Sequence, residues 1–160
     1  MKSIYEWINR ISVVQKNGMP ICPYAKKALD DNKIKIQWLD ETFSIKRILN
    51  AEIENYTYHW PKNTEIVVLV FDANRLNPHE IRKIILRNKT LLSERDFIAL
   101  EDHPSDPGYI DNVYTGNGEF GIVLIQKRSD LNKRRLELKK TSYYENWNTS
   151  YYNKIVGSEI

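Results

Sequence analysis

The spacing of hydrophobic positions at the start of the chain predicts two helices. Over residues 3–15, apolar side chains recur at helical spacing, which is typical of an amphipathic helix, and Ser3 is suited to cap its start. The segment 16–20 contains a glycine and a proline and therefore ends this helix. Because proline favours the first helical turn, Pro23 indicates a short second helix that ends near residues 31–32.

Four later segments have the apolar patterns of β-strands. Residues 34–38 alternate between apolar and polar side chains, which predicts a half-buried strand at the edge of a sheet. Residues 65–71 form a nearly continuous apolar, β-branched run, so we expect a central strand covered on both faces. Residues 97–100 and 120–126 predict two further strands.

The segments between these strands predict helices and two loops. Residues 43–53 have helical spacing, and an aromatic loop is expected over residues 56–63. Residues 77–80 read Asn-Pro-His-Glu, in which the asparagine, proline and glutamate all suit a helix start. We expect a polar loop over residues 102–118 and a helix over residues 130–140 that is capped by its first aspartate.

The order of strands and helices predicts an α/β fold. Strand-helix-strand alternation favours a single domain, residues 1–160, with a mixed sheet of about four strands covered by helices. Residues 141–160 contain several tyrosines and a tryptophan, and we describe them as a C-terminal aromatic tail.

Composition then narrows the class of protein. The single cysteine excludes an intramolecular disulfide and a four-cysteine metal site. No signal peptide and no membrane-spanning apolar stretch is recognisable, so we expect a cytoplasmic protein with no membrane partner. Abundant Lys, Asn, Ile and Tyr are typical of an AT-rich genome, such as that of some phages.

Cys22 is the first candidate for chemistry. It precedes Pro23 at the expected start of the second helix, where backbone amide groups and the nearby Lys26 favour a thiolate. Such a cysteine can be a nucleophile or a redox thiol. The alternative is that Cys22 is a small buried hydrophobic residue, as most lone cysteines are.

His103 and the acidic residues around it are the second candidate. They follow a predicted buried strand, and functional groups of open α/β sheets gather at such strand ends. His103 could serve as a base or as the partner of a thiolate, while Asp102, Asp106 and Asp111 could orient it or hold a hard cation. The alternative is a set of solvated loop acids.

The third candidate is the basic segment of residues 127–140. Against a net charge of +3 for the whole chain, this segment concentrates lysines and arginines, including Arg134 and Arg135. It is either a solvated helix face or a patch that binds phosphate or an acidic partner. The aromatic tail beside it could stack on bases or grip a partner, or it could seal the sheet or a dimer interface.

Residues 22–31 resemble the active-site turn and helix of glutaredoxins, in which a Cys-Pro-Tyr-Cys motif begins the helix and the first cysteine forms mixed disulfides with glutathione. Ala25 stands where those proteins have the second cysteine, so the resemblance implies monothiol chemistry. A strand precedes the motif in glutaredoxins, whereas a helix is predicted here.

A longer resemblance links the chain to an uncharacterised bacterial domain family. That family has an N-terminal helix of the type Arg-x-Trp-Leu, then Leu-Cys-Pro-Phe-Ala, and later a strand that ends in Phe-His-Pro. The similar segments here are residues 6–8, 21–25 and 102–104. The resemblance spans most of residues 5–110 and implies that Cys22 and His103 are the matched polar positions.

Two hypotheses of function follow, and we keep both. In the first, Cys22 and His103 approach each other in one pocket, with Asp102 beside them, and perform thiol-dependent transfer or redox chemistry on a small molecule. In the second, the protein is a non-enzymatic binding or regulatory protein that acts through the basic helix of residues 130–140 and the aromatic tail. A viral protein of this kind is included in the second hypothesis. A metal site at His103, Asp102 and Asp106 is a third alternative.

The sequence also suggests binding residues and partners. We assign binding roles to Tyr24, Lys26, Asp106, Arg134 and Arg135. No cofactor and no metal is expected. The expected partner is a small molecule or a protein, nucleic acid has weaker support, and a homo-oligomer is compatible with the sequence.

Overall fold

The fold is described by a computed structural model, which describes residues 2–13, 15–16, 19–39, 44–106, 108–110, 113–153 and 156. In chain order its helices and strands are α1 (Lys2–Val13), β1 (Gln15–Lys16), β2 (Met19–Pro20), α2 (Pro23–Asp30), β3 (Ile34–Trp38), α3 (Ile45–Tyr58), β4 (Ile66–Asp72), α4 (Pro78–Arg87), α5 (Lys89–Glu94), β5 (Phe97–Asp102), β6 (Tyr109–Ile110), β7 (Val113–Tyr114), β8 (Phe120–Lys127), α6 (Arg128–Lys139) and α7 (Thr149–Tyr152). Short 3₁₀ turns at Ala73–Arg75 and Ser142–Tyr144 follow β4 and α6.

Four strands form one mixed sheet in the order β3-β4-β8-β5. β3 and β4 are parallel, whereas β8 is antiparallel to both β4 and β5. Strands β3, β4 and β5 therefore run in the same direction. We call the side of the sheet where these three strands finish its carboxyl end, and the opposite side its amino end. The arrangement confirms the predicted α/β fold and its mixed four-stranded sheet.

The side chains of β4 alternate between two hydrophobic cores. Leu69 and Phe71 face a core that α3, α4 and α5 cover, while Val68 and Val70 face a second core under α1 and α2. All four are at most 1% exposed, which confirms that this central strand is covered on both faces. We call the face of the sheet under α1 and α2 the α1 face.

Two predicted helix starts are confirmed in detail. Asn77 and Glu80 form a capping box at α4, in which the Asn77 side chain accepts the Glu80 N–H at 3.0 Å and the Glu80 carboxylate accepts the Asn77 N–H at 3.0 Å. α2 begins at Pro23 with Cys22 as its N-cap residue. Both starts are local features, because each depends on residues within one helical turn.

The expected aromatic loop begins later than predicted. α3 continues through Tyr58, so the first three residues of the predicted loop are helical. Leu49, Ile53 and Tyr56 follow one another at helical spacing and are at most 2% exposed, which makes Tyr56 part of the core-facing stripe of the helix. The hydroxyl of Tyr56 also donates to the side chain of Gln37 in β3.

Three other elements differ from the sequence prediction. α5 was not expected, and a small β6–β7 hairpin occupies part of the expected loop over residues 102–118. α6 begins at Arg128, before Asp130. Asp96 precedes β5, and its carboxylate accepts the N–H of Ser129 at 3.1 Å, so a distant residue satisfies the first turn of this helix.

Part of the sequence prediction lies outside the described residues, namely residue 43 and Asp111, together with Gly18 in the segment that ends α1. Among the helices that are described, none combines the length and the apolar character needed to cross a lipid bilayer.

Candidate functional site

A cavity of about 220 Å³ lies between the α1 face of the sheet and the elements that cover it. Val68, Leu100 and Leu124 contribute apolar side chains from three neighbouring strands of the sheet. The remaining walls come from α1, α2, the β6–β7 hairpin, α6 and the C-terminal tail. Five separate parts of the chain therefore line one space over the sheet.

Side chains of α1 fix the wall at the carboxyl end of the sheet. The indole N–H of Trp7 donates to the carbonyl of Thr115 at 2.8 Å. The guanidinium of Arg10 donates to the carbonyls of Tyr114 at 2.7 Å and Gly116 at 2.5 Å. These bonds hold the β6–β7 hairpin against α1, and Ile110 and Thr115 line the cavity as a result.

The C-terminal tail forms the opposite wall. Tyr143 is 8% exposed, and its hydroxyl donates to the carbonyl of Ile21, directly before Cys22. The ring of Tyr144 lies 5.0 Å from that of Tyr143 and 5.0 Å from that of Trp147. Val156 is 1% exposed and also lines the cavity. The described aromatic residues of the tail therefore pack on one another and form part of the cavity wall.

The thiol of Cys22 lines this cavity. Burial raises the pKa of the thiol above its ordinary value, because a thiolate would lose its contact with water. The backbone amides of Ala25 and Tyr24 and the charge of Arg134 lower the pKa by less than burial raises it. α2 begins where the sequence predicts. However, the lowering effect of its first backbone amides on the pKa of the thiol is smaller than the raising effect of burial.

The cation that acts on the thiol is Arg134 rather than the nearby Lys26. Lys26 forms an ion pair with Asp30 on the exposed surface of α2, with 2.9 Å between its Nζ and the carboxylate. Arg134 pairs with Glu65 at 2.5 Å, and its guanidinium lies 5.6 Å from the ring centre of Tyr24. Lys26 therefore does not reach the thiol as the sequence prediction required.

His103 has a different environment from Cys22. It is 4% exposed, its Nε2 lies 3.0 Å from the carbonyl oxygen of Ala73, and its Nδ1 accepts the N–H of Ser105 at 3.0 Å. With Nδ1 as acceptor, Nε2 carries the proton and donates to Ala73. The ring thus joins the loop after β5 to the turn after β4.

Of the three predicted catalytic residues, Cys22 and Asp102 line the cavity, whereas His103 is not among its lining residues. His103 directly follows the end of β5, and its ring bonds to Ala73 and Ser105. The Asp102 carboxylate accepts from the backbone and side chain of Asn117, at 2.9 and 2.6 Å, so these bonds do not orient the imidazole.

Asp106 lies beside α4 and forms an ion pair with Arg82. The same guanidinium donates to Glu101 at 2.8 Å. Within the part of the chain that the structure describes, no group of three or more histidine, cysteine, aspartate and glutamate side chains is arranged to hold a metal ion. The ion pair with Arg82 explains why Asp106 lies beside α4.

Arg135 is the cation that the fold turns inward. It lies on the same face of α6 as Leu131 and Leu138, is 2% exposed and lines the cavity. The predicted basic surface thus loses two of its members, since Arg134 pairs with Glu65 and Arg135 is buried. The exposed basic residues of this segment are Lys133, Lys139 and Lys140.

Two tyrosines, Tyr24 and Tyr144, line the cavity with Arg135. Burial is the main cause that raises the pKa of Tyr24 and that of Tyr144, and each hydroxyl also affects the other. The two hydroxyls lie close enough for each to shift the pKa of the other. The hydroxyl of Tyr24 is buried and has no hydrogen-bond partner among the described residues. The positive charge of Arg135 lowers the pKa of both tyrosines, by less than burial raises it.

The cavity therefore has two chemically different ends. Arg134 reaches Glu65, which directly precedes β4, so its neighbour Arg135 and the associated Tyr24 lie towards the amino end of the sheet. Asp102 finishes β5 at the carboxyl end. One end presents hydrogen-bond donors, the other presents a carboxylate, and the sheet between them presents apolar side chains.

Several lining residues were missed by the sequence prediction. Trp7, Leu124 and Val156 carry no chemical signal, and only tertiary packing brings them to one cavity. Arg135 was predicted as a binding residue on a surface patch. Its position between Leu131 and Leu138 at helical spacing was a signal that it faces inward.

Comparisons with known proteins returned no match of this chain to a protein-family model, a curated protein or a solved structure.

Proposed function

We propose that this protein is a non-enzymatic binding protein that takes up a small, largely apolar molecule in the cavity on the α1 face. The cavity of about 220 Å³ carries this proposal. An apolar cavity of about 150 Å³ already accommodates benzene. Close packing is the rule in protein interiors, so a space of this size needs an explanation, and a ligand supplies one.

The chemistry of Cys22 favours binding over thiol catalysis. A nucleophilic cysteine acts as its thiolate and is activated by a base or by a lowered pKa. Burial raises the pKa of Cys22, and His103 already bonds to Ala73 and Ser105. In our proposal Cys22 contributes packing surface to the cavity wall. The proposal shares its non-enzymatic character with the second hypothesis drawn from the sequence, but it places binding in the cavity and not on the basic helix.

The proposal predicts affinity for small apolar probes. Burying a molecule of the size of toluene contributes about 4–5.5 kcal/mol at ~0.8 kcal/mol per methylene-sized group, which corresponds to a dissociation constant of about 0.1–1 mM. Isothermal titration calorimetry with toluene, indole and 1-hexanol measures this directly. At least one probe should bind in this range and raise the melting temperature.

Cavity-filling substitutions test where the probe binds. Leu124→Trp places an indole into the cavity and should abolish probe binding, while Leu136→Trp on the exposed side of α6 should leave it intact. Ala25→Leu and the exposed Ala51→Leu form a second, milder pair. The proposal is wrong if no probe binds to the wild type, or if the folded cavity-filling variants bind as the wild type does.

A further inference from the structure

The end of the cavity near Tyr24 and Arg135 indicates which chemical group of a ligand would bind there. Tyr24 lines the cavity, and its hydroxyl is buried and has no hydrogen-bond partner among the described residues. Buried polar groups are nearly always paired in native proteins, so an unpaired hydroxyl on a cavity-lining residue indicates a missing partner, which a molecule in the cavity would supply. This observation is independent of the size of the cavity.

The charged side chain at the same end of the cavity indicates the sign of the charge on the ligand. Arg135 is 2% exposed and lines the cavity near Tyr24 and Tyr144. A guanidinium provides five N–H donors, so it can bond to a ligand in addition to its contacts within the protein. A tyrosine hydroxyl is protonated at neutral pH and can donate as well as accept, whereas a guanidinium only donates. An acceptor is therefore the one kind of ligand group that all three side chains can bind.

We propose that the ligand is a small monocarboxylic acid, whose carboxylate binds Tyr24, Tyr144 and Arg135 while its apolar tail lies over Leu124. This inference rests on the proposed function, since it names the class of molecule that the cavity binds. A planar carboxylate matches the guanidinium fork and carries one negative charge. A doubly charged phosphate would bring more negative charge than the one cavity-lining arginine can offset.

The opposite end of the cavity sets the orientation of the ligand. The Asp102 carboxylate lines the cavity at the carboxyl end of the sheet and would repel a second carboxylate. A monocarboxylate avoids this repulsion by placing its charged group at the Arg135 end and its tail across the apolar floor. A dicarboxylate of similar length is disfavoured for the same reason.

A matched pair of probes tests the inference. Hexanoate and hexanamide have almost the same shape and differ in charge, and titration calorimetry gives both affinities. Wild-type protein should bind hexanoate at least about tenfold more tightly, because hydrogen bonds to charged groups are the stronger ones. Equal affinity for the two probes would overturn the carboxylate assignment. Toluene separates the two proposals, because binding of toluene without this preference leaves the proposed function standing.

Two variants locate the carboxylate. Arg135→Gln should reduce the preference for hexanoate over hexanamide to about twofold or less, and Tyr24→Phe should weaken hexanoate binding about five- to tenfold. Tyr24→Phe removes a hydroxyl that bonds to nothing in the described protein, so it should fold even where Arg135→Gln does not. The control Tyr58→Phe changes an exposed tyrosine. An unchanged hexanoate affinity in Tyr24→Phe contradicts the assignment.

Discussion

Cys22 is half-buried, and the desolvation of its thiol predicts how the stability of the protein changes at alkaline pH. Burial raises the pKa of this thiol in the folded protein, while the unfolded chain has the ordinary value of about 8.5. The protonated thiol therefore favours the folded state, and its contribution is complete below pH 8.5. That contribution is lost as the pH rises from the unfolded pKa towards the folded one.

The size of the effect follows from proton linkage. Between the two pKa values the free energy of unfolding should fall by up to about 1.4 kcal/mol per pH unit on account of this one group. At ~2–4 °C per kcal/mol for a protein of this size, the melting temperature falls by up to about 3–6 °C per pH unit. The tyrosines that line the cavity titrate from about pH 10 in the unfolded chain, so the useful window is pH 8.5–9.5.

The assay compares the wild type with Cys22→Ala in thermal unfolding followed by circular dichroism. The wild type should lose stability more steeply than the variant across this window. Alkylation by iodoacetamide gives a second readout, because the chain has a single cysteine. Folded protein should react more slowly than urea-unfolded protein and show no plateau below pH 8.5. Parallel stability curves, or an early plateau, would refute burial as the dominant effect and support an activated thiol.

Three further predictions concern the frame around the cavity. A Cβ at position 121 would overlap the ring of Phe71, which is paired opposite Gly121. Gly121→Ala should therefore lower the free energy of unfolding by about 1–3 kcal/mol in urea denaturation. An unchanged midpoint of the urea transition would contradict this. Asn77→Ala removes the α4 cap and should cost about 1 kcal/mol, whereas the same change at the exposed Asn146 should cost little. His103→Ala should cost about 2–5 kcal/mol because Ala73 and Ser105 each lose a partner, and toluene binding should persist; its loss would point to a direct role for His103.

The strands, several helix starts and the fold class could be predicted from the sequence because their causes are local. The apolar run of β4 requires cover on both faces, and Asn77 and Glu80 cap α4 within one turn. Where a distant residue completes an element, prediction was less accurate. Asp96 caps the first turn of α6, and the core-facing position of Tyr56 extends α3.

The candidate site depended on the tertiary structure for a different reason. The sequence by itself indicated Cys22, Tyr24 and Arg135 as residues of interest, since their types and local positions suggest chemistry or binding. Only the fold decided that these residues share a cavity, and that His103 is not among the residues that line it. Burial and contacts between distant segments determine whether a thiol is activated and whether an arginine faces solvent or a ligand. Those quantities are properties of the packed molecule, because they depend on what surrounds each group in space.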